Sequence, residues 1–148
     1  IAQCVPIIRI FHTDGPASPD NPFAKESGHV VPLKGLVDFE AAATFYKSRH
    51  SALVGTGLDV WLTAHGINRI IVSGIRTEQC CETTTRHASD LGWSVDYCLD
   101  ATLTFDMVQP DGRPLGAADI KARTATVLKD RFATLCTVDE ALERARTA

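Results

Sequence analysis

The chain has 148 residues, 45% hydrophobic and 22% charged, enough for one globular core that needs no disulfide or metal scaffold. Its 15 basic and 18 acidic residues are mixed along the sequence to a net charge of −3, and no Lys/Arg cluster could track a phosphate backbone, which argues against a nucleic-acid partner. No apolar run is long enough to span a bilayer, so no membrane partner is expected, and five irregularly spaced cysteines predict free thiols in a reducing, cytoplasmic setting.

Ile1-Ala2-Gln3 runs straight into an apolar segment, so the chain reads as cut at its amino end. Val5 to Phe11, rich in β-branched side chains, predicts a strand that His12-Thr13-Asp14-Gly15-Pro16 breaks. Four prolines between Gly15 and Val37 forbid a long regular element, and a loop of that length in a compact domain is usually functional or mobile. A weak segment around Thr44-Phe45-Tyr46-Lys47 follows.

Leu58, Trp61 and Leu62 then recur at helical spacing, with Thr56 as amino cap and Gly66 as carboxyl cap. Ile70-Ile71-Val72 reads as a strand covered on both faces. The next helix is expected to start at Thr77 as cap and end at Gly92, its inward stripe formed by Cys81, Thr84 or Thr85, Ala88 and Leu91. A strand over 95–99, a helix over about 117–132, a strand over 135–138 and a closing helix complete the series. Strands alternating with helices of 10 to 16 residues predict an α/β domain, three layers deep, with a mostly parallel Rossmann-like sheet between helices, over the single domain 1–148.

Parallel sheets bind ligands beyond the carboxyl ends of their strands, which directs attention to the turn after Val72. It holds Cys80, third in the expected helix, where unpaired N–H groups and the helix dipole favour a thiolate and could also hold an oxyanion. Cysteine is commonly a buried core residue, and Cys4, Cys98 and Cys136 in apolar strands and Cys81 on the inward helix face read that way.

Two blocks carry a resemblance: Lys47-Ser48-Arg49-His50-Ser51-Ala52-Leu53 with Val54-Gly55-Thr56-Gly57-Leu58, and Ile71-Val72-Ser73-Gly74-Ile75-Arg76-Thr77-Glu78-Gln79-Cys80-Cys81 with Thr83-Thr84-Thr85. In order and interval they resemble the isochorismatase-like cysteine hydrolases, and the likeness covers nearly the whole chain. The resemblance implies Cys80 as nucleophile and Lys47 as its cationic partner. It also implies a non-proline cis peptide between Ile75 and Arg76, with the backbone N–H groups of Arg76 and Cys80 facing an oxyanion. The family's catalytic aspartate would precede Ile1; Asp14, at the end of what would be the second strand, is not assigned that role.

Leu53, where the family usually carries Phe, and Arg76, where a small or apolar residue is common, bear on the substrate. Arg76, placed in the active turn, is expected to favour an anionic substrate. His12, Asp14 and His29 do not reproduce the Asp-x-His spacing of the metal-binding branch, so neither a metal nor an organic cofactor is expected. The resemblance thus implies a homo-oligomeric hydrolase that splits an amide or carbamoyl C–N bond of a small molecule through a thioester. The alternatives are a catalytically silent relative acting as a binding or assembly subunit, and an isochorismate-type vinyl-ether hydrolase, against which the cysteine counts.

Overall fold

In the computed structural model, residues 5–146 are described. The first strand, β1 (Ile8–His12), pairs in parallel with β2 (Ala43–Lys47), so the weak segment ending at Lys47 is a full strand. Register sets His12 opposite Lys47 at the carboxyl ends of both strands. Between them runs a loop with one short 3₁₀ turn at Lys25–Ser27, as the prolines require.

Helix α1 (Leu58–Ala64) buries Leu58 and Leu62. The hydroxyl of Thr56 accepts from the Leu58 N–H at 3.1 Å, and the cap position itself falls to Gly57. At its far end Gly66, at φ +65°, lets the Gly66 and Ile67 N–H groups reach back to the Thr63 and Leu62 carbonyls. That is the left-handed termination glycine permits without steric cost.

The strands β3 (Arg69–Ile75), β4 (Ser94–Leu103) and β7 (Thr134–Cys136) form a three-stranded parallel sheet in the order β3-β4-β7. The parallel strands therefore make two sheets among the described residues rather than one. Helices α2 (Glu82–Asp90) and α3 (Ala117–Leu128) connect this second sheet, and α4 (Val138–Arg146) closes the chain. Two short strands that the sequence did not signal, β5 (Met107–Val108) and β6 (Pro114–Leu115), pair as an antiparallel hairpin.

The alternation of β4 builds the three layers. Val95 and Tyr97 point into the main core with Ala88 of α2 and Leu128 of α3, while Cys98 points the opposite way, against Ala141 of α4. Asp96 shares that second face and is 1% exposed, its charge compensated by Arg144 of α4 at 3.0 Å. Covering on both faces therefore belongs to β4. In β3 Ile71, Ser73 and Ile75 stay open, Ile71 and Ile75 being 37% and 46% exposed. Leu91, expected on the inward stripe of α2, lies just past the helix end and is 53% exposed, whereas Cys81, Thr85 and Ala88 are buried.

Cys98 and Cys136, register partners on β4 and β7, are buried as expected; the expectation for Cys4 falls outside the described residues. The helix expected to reach 132 stops at Leu128, because Lys129 is extended and Asp130 adopts φ +60°. No helix among the described residues is long and apolar enough to cross a membrane.

Candidate active site

The turn after β3 departs from the expected start of a helix. Thr77 is not the cap: it is fully buried, and its hydroxyl donates to Thr102 of β4 at 2.9 Å instead of accepting from the helix. Thr77–Cys81 form a single π-helical turn, in which the Cys81 N–H reaches the Arg76 carbonyl at 3.1 Å. Such widened turns are frequent at functional sites. Beneath it the buried Tyr97 hydroxyl donates to the Thr77 carbonyl at 2.8 Å. The peptide joining Ile75 to Arg76 is cis.

The widened turn gives its two cysteines opposite environments. Cys81 is 5% exposed in the main core, and burial, reinforced by neighbouring Cys80, pushes its thiol up to about 12. Cys80 is half-buried. Its sulfur meets two nitrogens, Lys47 Nζ at 3.2 Å and His50 Nδ1 at 3.9 Å. Among the described residues no carboxylate is hydrogen-bonded to it, and Asp14 instead accepts from the Gly15 N–H at 2.8 Å, closing a local turn.

Lys47 is 5% exposed at the end of β2, and its ammonium directs one donor to each of three acceptors: Cys80 Sγ, the Arg49 carbonyl at 2.9 Å and His12 Nδ1 at 3.1 Å. An ammonium has three N–H bonds, so its donor capacity is matched. Burial, followed by the Lys47 charge, lowers His12 below the ordinary imidazole value, which keeps Nδ1 available as an acceptor.

The stretch after Lys47 is held against α2 by side chains that carry no chemistry. Ser51 is buried and its hydroxyl pairs with His87 Nδ1 at 2.9 Å, while the Ala52 N–H donates to Thr84 at 3.0 Å. Leu53, expected beside the pocket, is buried in the main core with Leu58. His50 is the exposed residue immediately before this anchor. The sequence placed His50 inside a motif but gave it no role, and it read His12 only as a turn or metal residue.

Arg76 leads away from the sulfur. Its guanidinium lies over the Phe105 ring at 4.0 Å and forms an ion pair with Glu78 at 2.8 Å that lacks hydrogen-bond alignment; Glu78 also accepts from Thr104 at 2.7 Å. An anionic substrate would compete with Glu78 for this charge. An open cleft of about 400 Å³ lies beyond the carboxyl ends of β1 and β2, bordered by Thr13, Asp14, Phe23, Lys25, Ser48 and Arg49. Among the described residues no group of three His, Cys, Asp or Glu side chains is placed to hold a metal ion.

The isochorismatase domain model matches residues 5–140. The isochorismatase family protein YrdC of Bacillus subtilis is 32% identical over 136 residues, covering 90% of this chain and 71% of that protein. A cysteine hydrolase from Pseudomonas syringae pv. phaseolicola superposes with a TM-score of 0.87 at 25% identity, over 99% of this chain and 74% of the other. Ureidoacrylate amidohydrolase RutB of Variovorax paradoxus is 31% identical over 94 residues, 64% of this chain and 33% of that protein.

Proposed function

This chain belongs to the isochorismatase family of hydrolases, and from that premise we propose that it cleaves a small-molecule amide or carbamoyl C–N bond with Cys80 as nucleophile. The observation that carries the reading is the Lys47 ammonium set 3.2 Å from a half-buried Cys80 sulfur in a widened helical turn. A buried cation with all three donors directed is a fixed counter-charge for a thiolate. The amidohydrolase name of the Variovorax relative adds support for a C–N bond.

In this scheme the thiolate attacks the carbonyl carbon and the carbonyl electrons move to oxygen, which the backbone N–H groups of Arg76 and Cys80 receive. As the oxyanion collapses, the C–N bond breaks and the nitrogen leaves with a proton drawn from solvent, leaving a thioester. Water then adds to the same carbon and gives one proton back to solvent, the C–S bond breaks, and the acid is released with the thiolate restored.

The test is ammonia or amine release from a panel of small carboxamides and carbamoyl compounds, combined with intact-mass detection of an acyl adduct. We expect turnover that Cys80→Ser abolishes, and an adduct that maps to Cys80. Absence of both turnover and adduct across the panel would favour the silent binding subunit instead.

A further inference from the structure

We propose that Glu82 is a positioning residue of this site: by tying the end of the active turn to α3, its buried carboxylate sets the Cys80 sulfur against Lys47. The inference rests on Cys80 being the nucleophile. A π-helical turn is rare as a free-standing conformation, so whatever holds its two ends decides where the residues between them point. The first end is held by β4, which takes the Thr77 hydroxyl on Thr102 and supports the Thr77 carbonyl with Tyr97. At the other end the Glu82 N–H bonds back into the turn, while the Glu82 side chain is gripped by two helices.

That grip uses both carboxylate oxygens. One accepts from Arg86 Nε, a turn further along α2, at 3.0 Å. The other accepts from the Arg123 guanidinium and, at 3.2 Å, from the Thr124 hydroxyl, both on α3. Glu82 is 5% exposed and Thr124 is fully buried, a depth at which a carboxylate is tolerated only when paired and hydrogen-bonded. Arg86 is itself laid over the Phe132 ring at 4.3 Å, and Phe132 packs against the main core. A buried ion pair is weak evidence for stability, because well-packed apolar side chains often do as well; what it adds is direction.

Direction matters here because the two partners of the reactive pair come from different elements. Lys47 is fixed at the end of β2 by its bonds to His12 and the Arg49 carbonyl, whereas Cys80 stands two positions before Glu82 in the turn. Rotating the first turn of α2 would swing the sulfur off the ammonium 3.2 Å away. The ionisable groups that face the sulfur are Lys47 from β2, His50 from the loop after it, and Glu78 and Cys81 in the turn. The carboxylate of Glu82 has its partners in α2 and α3 instead, so it acts through the backbone that carries Cys80.

The experiment compares wild-type protein with Glu82→Gln, Arg123→Met, Lys47→Met and the double variant Glu82→Gln/Lys47→Met. Glutamine keeps the length and an acceptor for Thr124 but loses the charge that holds both arginines. Arg123→Met loosens the same tie from a side chain that is 58% exposed, so it tests the role even if Glu82→Gln fails to fold. The readouts are Cys80 alkylation by iodoacetamide across pH, kcat and KM for the best substrate of the amide panel, and Tm. For Glu82→Gln we expect alkylation near neutral pH and kcat to fall roughly 10- to 100-fold with little change in KM, the effect of a reacting group misplaced by about 1 Å. Arg123→Met should move both in the same direction by less. In the Lys47→Met background Glu82→Gln should add almost nothing, since the contact it protects is already gone. Wild-type alkylation and kcat in both single variants, or an undiminished further loss in the double variant, would overturn the role of Glu82. Turnover that Cys80→Ser abolishes would leave the hydrolase reading standing in either case. If no substrate turns over, the alkylation comparison alone decides whether Glu82 places the sulfur.

Discussion

Replacing Lys47 by Met tests the electrostatic core of the site. Met fills a similar buried volume without charge, so the main loss is the ammonium 3.2 Å from Cys80 Sγ. Two unit charges at that distance attract by about 5 kcal/mol at an effective dielectric constant of about 20. Cys80 is half-buried, so water replaces part of the lost interaction, and roughly 2.7 kcal/mol remains, about 100-fold in the rate of any step that starts from the thiolate. The His12 ring and the Arg49 carbonyl lose their donor, at about 1 kcal/mol each, against the relief of removing a buried charge. The fold should therefore survive with a small change in Tm. The assay is iodoacetamide alkylation of Cys80 near neutral pH, followed by peptide mapping, with thermal melting as control. Alkylation of Lys47→Met at the wild-type rate, in a protein that melts normally, would refute the assignment of Lys47 as counter-charge.

Mild alkylation of the native protein should mark Cys80 well before Cys81, Cys98 or Cys136, since burial pushes Cys81 and Cys98 up to about 12 and raises Cys136; equal labelling of the four would contradict the burial described. His12 makes stability pH-dependent with a definite sign. Its folded value lies below the ordinary 6.5, so the unfolded chain binds more protons between the two values; this contribution is complete above about pH 6.5 and lost as pH falls through the folded value. Urea titrations across that interval should show the slope, and His12→Gln should flatten it. Tyr97→Phe should cost about 1–2 kcal/mol in chemical denaturation, because the Thr77 carbonyl under the active turn is left without its buried donor.

Much of the architecture was legible because it rests on local chemistry. Alternating β-branched and helical segments indicated the parallel α/β class, and Gly66 marked the end of α1 through the same left-handed geometry that the structure adopts. The covering of strands was not legible: Ile70-Ile71-Val72 is as apolar as Val95 to Leu99, yet of these two strands β4 alone meets helices on both sides, which depends on which elements arrive from elsewhere in the chain. Thr77 failed as a cap for a similar reason. A threonine before a helix offers its hydroxyl to the backbone, but here Thr102, 25 residues on, draws that hydroxyl into the sheet. The sequence singled out Cys80 by its place in the turn, and Lys47 through the family resemblance. It could not supply the 3.2 Å contact between them, nor the arrival of His12 and His50 at the same point, because those rest on the pairing of β1 with β2 and on the anchoring of Ser51.

The attachment of the active turn to Thr104 and Phe105 has an evolutionary consequence. Arg76 and Glu78 are held by Thr104, Phe105 and Met107, none of which meets the Cys80 sulfur or Lys47, so these three positions can drift in size and polarity without touching that pair. Each such change would shift the Arg76 and Glu78 side chains at the edge of the turn while leaving the contact between Lys47 and Cys80 in place, and on the proposed function that would alter selectivity before it altered the nucleophile. A lineage, or a directed library, seeking new substrates from this scaffold would find its gentlest route through those three positions.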